Sequence, residues 1–498
     1  MGVIKRQGVK SSIVNYIGVV LGFIGTLFIY PLDKNTYGQL QTWIANATLL
    51  IPFLTLGSNT LITKFHSIFK KEYGHGFGTF ILKITIRSLL IGLLAILLIT
   101  LIHKNIPLHF QLEFLKVENV KISITLAIIV LFNLIFKSFS AINLRIVIPE
   151  IVHNLGFKLF IFAIIAYGFF FDSSEKINLL ALYTFYLFAL IFLIFYSIRL
   201  DKNLFKEFRL KTIDKPFSKQ INSFWLFTGL NIFGTMLIYQ IDVVMIAEYL
   251  NKESVTNYLA FLMMSNIISI PSRSFLGITA PIISDEMANK NYHIVKDHYL
   301  QLSKNLLIFG VFCFGILWIN MDEILTIMSN GETYEPFKWC FVFLGLAKLF
   351  ELSTSINHQI IVYSKWYKIN LVLLFITATS NIVTNYILIQ KYGIIGIAIG
   401  SSITILIYNL LKTIIVYKLI KCQPFQWKMI PAISILIIII FAPNVTVTEY
   451  FLISGLVKSL CFLITFISII WLSKSSQVFN NLVISYYHKI VKSLTKRH

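Results

Sequence analysis

Charge is the scarcest property of this sequence. Asp, Glu, Lys and Arg make up 13% of 498 residues, about half the share of a soluble domain. The deficit runs the whole length, which excludes an ordinary soluble fold. Acid is scarcer than base, with 22 Asp and Glu against 43 Lys and Arg and a net charge of +21. Cysteine is scarce too: Cys313, Cys340, Cys422 and Cys461 are scattered, three of them in apolar runs. That spacing supports neither a disulfide framework nor a metal site. No phosphate-cradling Gly-rich loop and no HExxH pattern occurs, and the ten His are dispersed. Transport powered by a built-in ATPase is therefore unsupported.

What is abundant is apolar. Hydrophobic residues make up 57% of the chain, including 44 Phe, and the mean hydropathy is +0.78. A membrane-spanning helix needs about 20 apolar residues. By that rule fourteen spans are expected, over about 11–31, 39–62, 80–102, 120–142, 147–171, 178–198, 219–247, 255–282, 303–321, 337–362, 367–390, 394–417, 429–447 and 451–472. Twelve is the next even choice. The expected fold is an all-α polytopic membrane protein. The basic start Met1–Lys10 precedes a run of spanning length with no small-residue cleavage site, so it reads as a retained first helix.

The basic residues lie between the apolar runs rather than on one soluble face, which sets nucleic acid aside. With the N-terminus inside, inner segments hold 27 Lys and Arg and outer turns hold 8. That bias fits the positive-inside rule with both ends cytoplasmic. The outer turns are short, the longest being His103 to Asn119. They leave no room for an outer catalytic domain, which argues against a polysaccharide polymerase or ligase.

The richest inner segment, Arg199 to Lys219, carries seven basic residues. It divides the chain into a six-helix bundle over 1–200, a basic cytoplasmic linker over 201–218 and a second six-helix bundle over 219–425. Two further helices and a basic tail fill 426–498. A weak echo supports the repeat: Tyr37-Gly38-Gln39-Leu40, Ile51-Pro52 and Gly57 match Tyr258-Leu259-Ala260, Ile270-Pro271 and Gly277 in order. Transporters are often built from such repeats.

Ions inside apolar runs are costly and usually face a cavity. Asp242 and Arg273 stand in the seventh and eighth spans, Arg273 beside Pro271, which is expected to kink its helix. Helical depth at 1.5 Å per residue separates the two by about 20 Å, so each needs its own partner. Glu150, Asn154 and Lys158 form an i, i+4, i+8 stripe with His153 beside it. Lys348, Glu351, Ser355 and His358 form a second stripe, in which Lys348 and Glu351 are spaced to pair. Thr377, Asn381, Thr384 and Asn385 give the eleventh span a neutral polar face suited to hydroxyl-rich ligands. Arg87 reaches either the cavity or the interface, and Lys137, Lys412 and Lys458 are expected to snorkel to helix ends.

Three segments carry a resemblance. Gly18, Gly22 and Gly25 precede Tyr30-Pro31 and Tyr37-Gly38-Gln39-Leu40; Tyr239-Gln240-Ile241-Asp242 precedes Pro271 and Pro281; and Asn381 to Ala398 includes Asn385, Tyr392-Gly393 and Gly396. In these the chain resembles the O-antigen and capsule-unit flippases of the multidrug/oligosaccharidyl-lipid/polysaccharide exporter superfamily, over most of residues 1–425. Gln390 departs from the proline common at that place. The resemblance implies two six-helix bundles around a cavity, two extra C-terminal helices and alternating access in a bacterial inner membrane. It implies no cofactor and a monomeric transport unit. The implied cargo is an undecaprenyl-pyrophosphate-linked oligosaccharide, turned to the outer leaflet, with membrane lipids, polymerase and glycosyltransferases as partners.

A pyrophosphate in a low-dielectric cavity needs cations. Arg273, Lys158, Arg87 and Lys348 are the candidates; Thr377, Asn381 and Asn385 would face sugar. Asp242, Glu351 and Pro271 are the candidates for gating or coupling to a Na+ or H+ gradient. The rival reading within the superfamily is a multidrug or cation antiporter.

Overall fold

The computed structural model describes residues 2–55, 57–73, 76–104, 116–171, 174–202, 206, 215–366, 368–442 and 450–476. Most of the linker 201–218, the centre of the turn 103–119 and the tail beyond 476 lie outside that description. Every regular element in it is helical. In chain order these are α1 (Gly2–Ile24), a π turn (Gly25–Ile29), a 3-10 turn (Tyr30–Asp33), α2 (Lys34–Thr55), α3 (Ser58–Tyr73), α4 (Phe77–Lys104), α5 (Val117–Ile142) and α6 (Val147–Glu150). A second π segment (Ile151–Gly156) leads into α7 (Phe157–Phe171), followed by α8 (Glu175–Leu200), α9 (Lys215–Tyr249), α10 (Lys252–Ile267), α11 (Ile270–Ala288) and α12 (Tyr292–Ile319). Then come α13 (Met321–Ile327), α14 (Trp339–Thr354), α15 (Asn357–Val362), α16 (Ile369–Ile420), α17 (Ile430–Phe441) and α18 (Phe451–Leu472).

Among the described residues nine helical stretches are long and apolar enough to cross a membrane. Their outward faces are greasy: Leu94 is 61% exposed, Phe188 70% and Ile464 63%. Such faces are stable only against hydrocarbon, because water would penalise each by roughly 1.5–3 kcal/mol. Inside, polar groups pair across helices as a bilayer requires. Asn133 on α5 donates to the carbonyl of Tyr186 on α8 at 3.0 Å.

The stretch Ile369–Ile420 has 52 residues, about 78 Å if straight, against a hydrocarbon layer of about 30 Å. It folds back instead. Gly393 breaks it at φ 55°, ψ −131°. Ser401 then donates to Asn381 at 3.4 Å, and the hydroxyls of Thr384 and Thr404 lie 3.3 Å apart. Residues 20 apart on a straight helix would be about 30 Å apart. The expected spans 367–390 and 394–417 meet at this break.

Other expected spans are interrupted. That over 255–282 is two helices, α10 and α11, and Pro271 stands in the first turn of α11. In place of the expected kink, a two-residue turn at Ile268–Ser269 separates the helices, and proline in the first turn that follows forfeits no hydrogen bond. The span over 337–362 breaks at Ser355, with φ 27° and ψ −92°. Pro281 lies inside α11.

The chain forms two compact units, Met1–Asn257 and Tyr258–His498. The boundary falls inside α10, whose first turn belongs to the first unit. In the first unit α2 packs against α4, α5 and α9; Gly92 on α4 meets the backbone of Phe53, where a Cβ would lie 2.3 Å from a carbonyl oxygen. In the second unit α14 packs against α16 and α12, and α18 closes on α12 and α13.

Candidate functional site

Within the first unit the ends of α2 and α8 hold the turn between α9 and α10. Asp33 accepts from the amide of Thr36 at 3.0 Å and starts α2. Thr256 donates to the carbonyl of Lys34 at 2.6 Å, and Lys34 Nζ donates to Asn257 Oδ1 at 3.1 Å. Lys252 pairs with Glu175 at 2.6 Å. Gly38 makes this approach possible: a Cβ there would lie 1.8 Å from the carbonyl oxygen of Lys252. Behind it Tyr30 and Tyr37 stack with ring centroids 3.9 Å apart. These contacts form a polar clasp. The sequence marks the turn as polar and Tyr37-Gly38 as a motif, but nothing local links residues more than 200 positions apart.

The Glu150–Lys158 stripe is divided among neighbours. Glu150 pairs with Lys137 of α5 at 3.1 Å, Asn154 donates to Asn15 of α1 at 2.9 Å, and Lys158 Nζ donates to the carbonyl of Gly18. The π segment Ile151–Gly156 widens the helix here, a geometry frequent at functional sites. Lys137, expected to snorkel to a helix end, is part-exposed and held by Glu150. Lys158 is half-buried against α1. Arg87 is exposed on α4, on the same face as Leu90 and Leu94, so it is not brought to the α1–α7 contact. Asp242 is 7% exposed on α9.

In the second unit Lys348 pairs with Glu351 at 3.4 Å, with Lys348 largely buried and Glu351 half-exposed. The break at Ser355 ends that face, so His358 lies on α15 and the four-residue stripe is not one helix face. Thr377, Asn381 and Asn385 are all buried at 3% exposure or less. Asn381 and Asn385 stand in the contact between the two arms of α16, where Asn385 Oδ1 would lie 2.3 Å from a Cβ at Gly400. Arg273 lies on α11; its side chain, like that of Pro271, falls outside the described set.

Two lysines that the sequence assigns to helix ends lie inside the packing instead. Lys412 is 6% exposed with its ammonium 3.6 Å from the Tyr408 ring centroid, and Lys458 pairs with buried Glu323 at 2.5 Å. Neither snorkels: each has found an inward partner. Asn409 and Thr413 beside Lys412 were the signal, a polar face at i, i+3, i+4. There Asn357 donates to Thr413 at 2.8 Å, Tyr299 donates to Asn357, and Ser303 meets Ser355 at 2.9 Å. This network holds α12, α15 and α16 together around the broken backbone at Ser355.

No family model and no curated protein matches the chain. Solved structures do. An inward-facing multidrug resistance MATE family transporter of the MOP superfamily has TM-score 0.57 at 14% identity, covering 83% of this chain and 98% of its own. A MATE transporter in complex with MaL6 has TM-score 0.52 at 13% identity, covering 84% and 96%. The Vibrio cholerae MATE transporter VcmN, as a substitution variant, has TM-score 0.50 at 12% identity, covering 84% and 98%. The fold is therefore that of the MATE transporters. At these identities the likeness concerns fold, and the chemistry must be argued from this chain's own residues.

Proposed function

We propose that the protein is a membrane exporter working by alternating access. The observation that carries this reading is the MATE-like fold, shared with an inward-facing transporter. The clasp around Gly38 is proposed as a gate: it holds the start of α10, whose remaining turns belong to the second unit. By the charge bias, this gate lies on the outer side, with both termini inside and a cytoplasmic membrane as the location.

The cargo has two readings, and the solved neighbours by themselves favour the multidrug one. The residues within helices favour an anionic amphiphile, a lipid-linked oligosaccharide carried by a pyrophosphate. Lys158, Lys348, Lys412 and Arg273 all stand within helices, and this excess of base over acid suits an anionic cargo better than a cationic one. We propose Arg273, Lys158 and Lys348 as headgroup contacts, with Arg87 as a weaker contributor from its exposed face. Asp242 and Glu351 are proposed for ion coupling, and Thr377, Asn381 and Asn385 for positioning the arm of α16 nearest the sugar. Reconstituted protein supplied with either a fluorescent lipid-linked oligosaccharide or a cationic dye separates the readings. Lipid translocation without dye efflux supports the proposal, and the reverse assigns the multidrug function.

A further inference from the structure

A cavity of about 300 Å3 lies in the second unit between α11, α12 and α18. Phe275 of α11, Leu306, Phe309 and Phe312 of α12, and Phe466 and Ile467 of α18 supply most of its wall. Phe275 and Phe309 are 53% and 45% exposed, so the cavity opens on the greasy outer surface rather than into the core. Among the described residues its polar lining groups are Asn305 and Ser476, and Ser476 donates to Asn305 Oδ1 at 2.8 Å. A trapped water needs several polar partners, and this pair is already bonded to itself. Left empty, the wall would forfeit its dispersion contacts. Hydrocarbon is what such a lining accepts.

We propose that this cavity holds an acyl chain of an anionic phospholipid from the inner leaflet. Its lining on α12 runs from Leu302 to Phe312, which spans about 15 Å along the helix. That is half of a hydrocarbon layer about 30 Å thick, the reach of one leaflet. Asn305 and Ser476 stand at the end where α12 enters the apolar layer and the chain leaves it after α18. By the Lys and Arg bias that end is the inner one. The headgroup follows from charge. Lys304 precedes Asn305 and Lys474 lies two residues before Ser476, so the bond between Asn305 and Ser476 draws both lysine positions to one mouth. Neither lysine makes an ion pair among the described residues, and the charge that acts on Lys304 is another cation, Lys428. An anionic headgroup relieves that repulsion. The lipid would bridge α11 and α18 across α12, independently of what the protein carries.

The test is photolabelling of the purified full-length chain in phosphatidylcholine nanodiscs. These are doped with a phospholipid that carries a diazirine on its acyl chain and either a phosphatidylglycerol or a phosphatidylcholine headgroup. Peptide mass spectrometry reads the labelled residues, and Leu94, 61% exposed on α4, measures contact with bulk lipid. The phosphatidylglycerol probe should label Phe309, Phe312 and Phe466 saturably, roughly fivefold or more above the phosphatidylcholine probe. Unlabelled phosphatidylglycerol should compete. Ile467→Trp fills the cavity and should remove this labelling while leaving that of Leu94. The double variant Lys304→Gln/Lys474→Gln should keep the labelling but lose the preference for phosphatidylglycerol. Labelling of wild type no stronger than at Leu94 would overturn the proposal, and so would equal labelling by the two probes. Competition by a polyprenyl phosphate but not by phosphatidylglycerol would assign the cavity to the tail of a lipid-linked cargo, and would overturn it equally. Should Ile467→Trp not fold, competition in wild type decides between these outcomes.

Discussion

Glu323 and Lys458 show how much a single residue can carry in this protein. Both are nearly excluded from solvent at 2.5 Å separation. Removing one partner leaves an uncompensated buried charge, which typically costs about 3–5 kcal/mol. Lys458→Ala is therefore expected to lower the unfolding midpoint strongly, whereas the double variant Glu323→Gln/Lys458→Met should recover most of the loss. Lys252 and Glu175 form an exposed pair, worth about 0–1 kcal/mol. Lys252→Gln should leave stability nearly unchanged, as thermal unfolding would verify. Gly38→Ala is different, because its Cβ meets backbone at 1.8 Å. It should keep the clasp from closing and reduce transport at least tenfold in a reconstituted assay, with normal expression. Arg273 belongs to the same scale: Arg273→Lys should impair transport of a pyrophosphate-linked cargo in part and Arg273→Ala nearly completely, since Lys lacks the bidentate fork.

At the scale of elements, breaks matter more than spans. Gly393 occupies φ 55°, ψ −131°, with open space where a Cβ would project. Gly393→Ala isolates the backbone cost, about 1–3 kcal/mol. A fall in the unfolding midpoint without loss of any side-chain contact is the expected result. The sequence made this break visible, because Tyr392-Gly393 separates two apolar runs of full spanning length. It made the Ser355 break invisible. Serine is tolerated in helices, and the strain there is held by Tyr299, Asn357 and Thr413, which come from distant parts of the chain. The same reason explains Lys412 and Lys458. Their position near helix ends reads as snorkelling, and only the packed neighbours reveal the Tyr408 ring and the Glu323 carboxylate. Pro271 was legible as a disruption, but whether a proline kinks or begins a helix depends on the turn preceding it.

For the whole molecule, hydropathy and the Lys/Arg bias were enough to indicate a helical membrane protein, because every residue in a bilayer obeys the same solvation rule. The MATE-like architecture rests on which helices pack together, which no local pattern encodes. The polar stripes were visible as stripes; their division among α1, α5 and α7 was not. A gating role for the clasp around Gly38 requires that it opens and closes during a transport cycle. A Cys pair replacing Lys34 and Asn257, whose side-chain tips meet at 3.1 Å, should be joined by a short bis-methanethiosulfonate linker and arrest transport, with activity restored by reductant. Uninhibited transport in the cross-linked protein would remove the clasp from the cycle.

The most direct measurement of the central claim is leaflet exchange in proteoliposomes containing the purified chain and a fluorescent undecaprenyl-pyrophosphate oligosaccharide. Accessibility to a membrane-impermeant quencher would report exchange, and a parallel sample would report efflux of a cationic dye. The account predicts protein-dependent exchange of the lipid, loss of it in Arg273→Ala and Lys158→Met, and no dye efflux. Dye efflux with the lipid left in its original leaflet would contradict it.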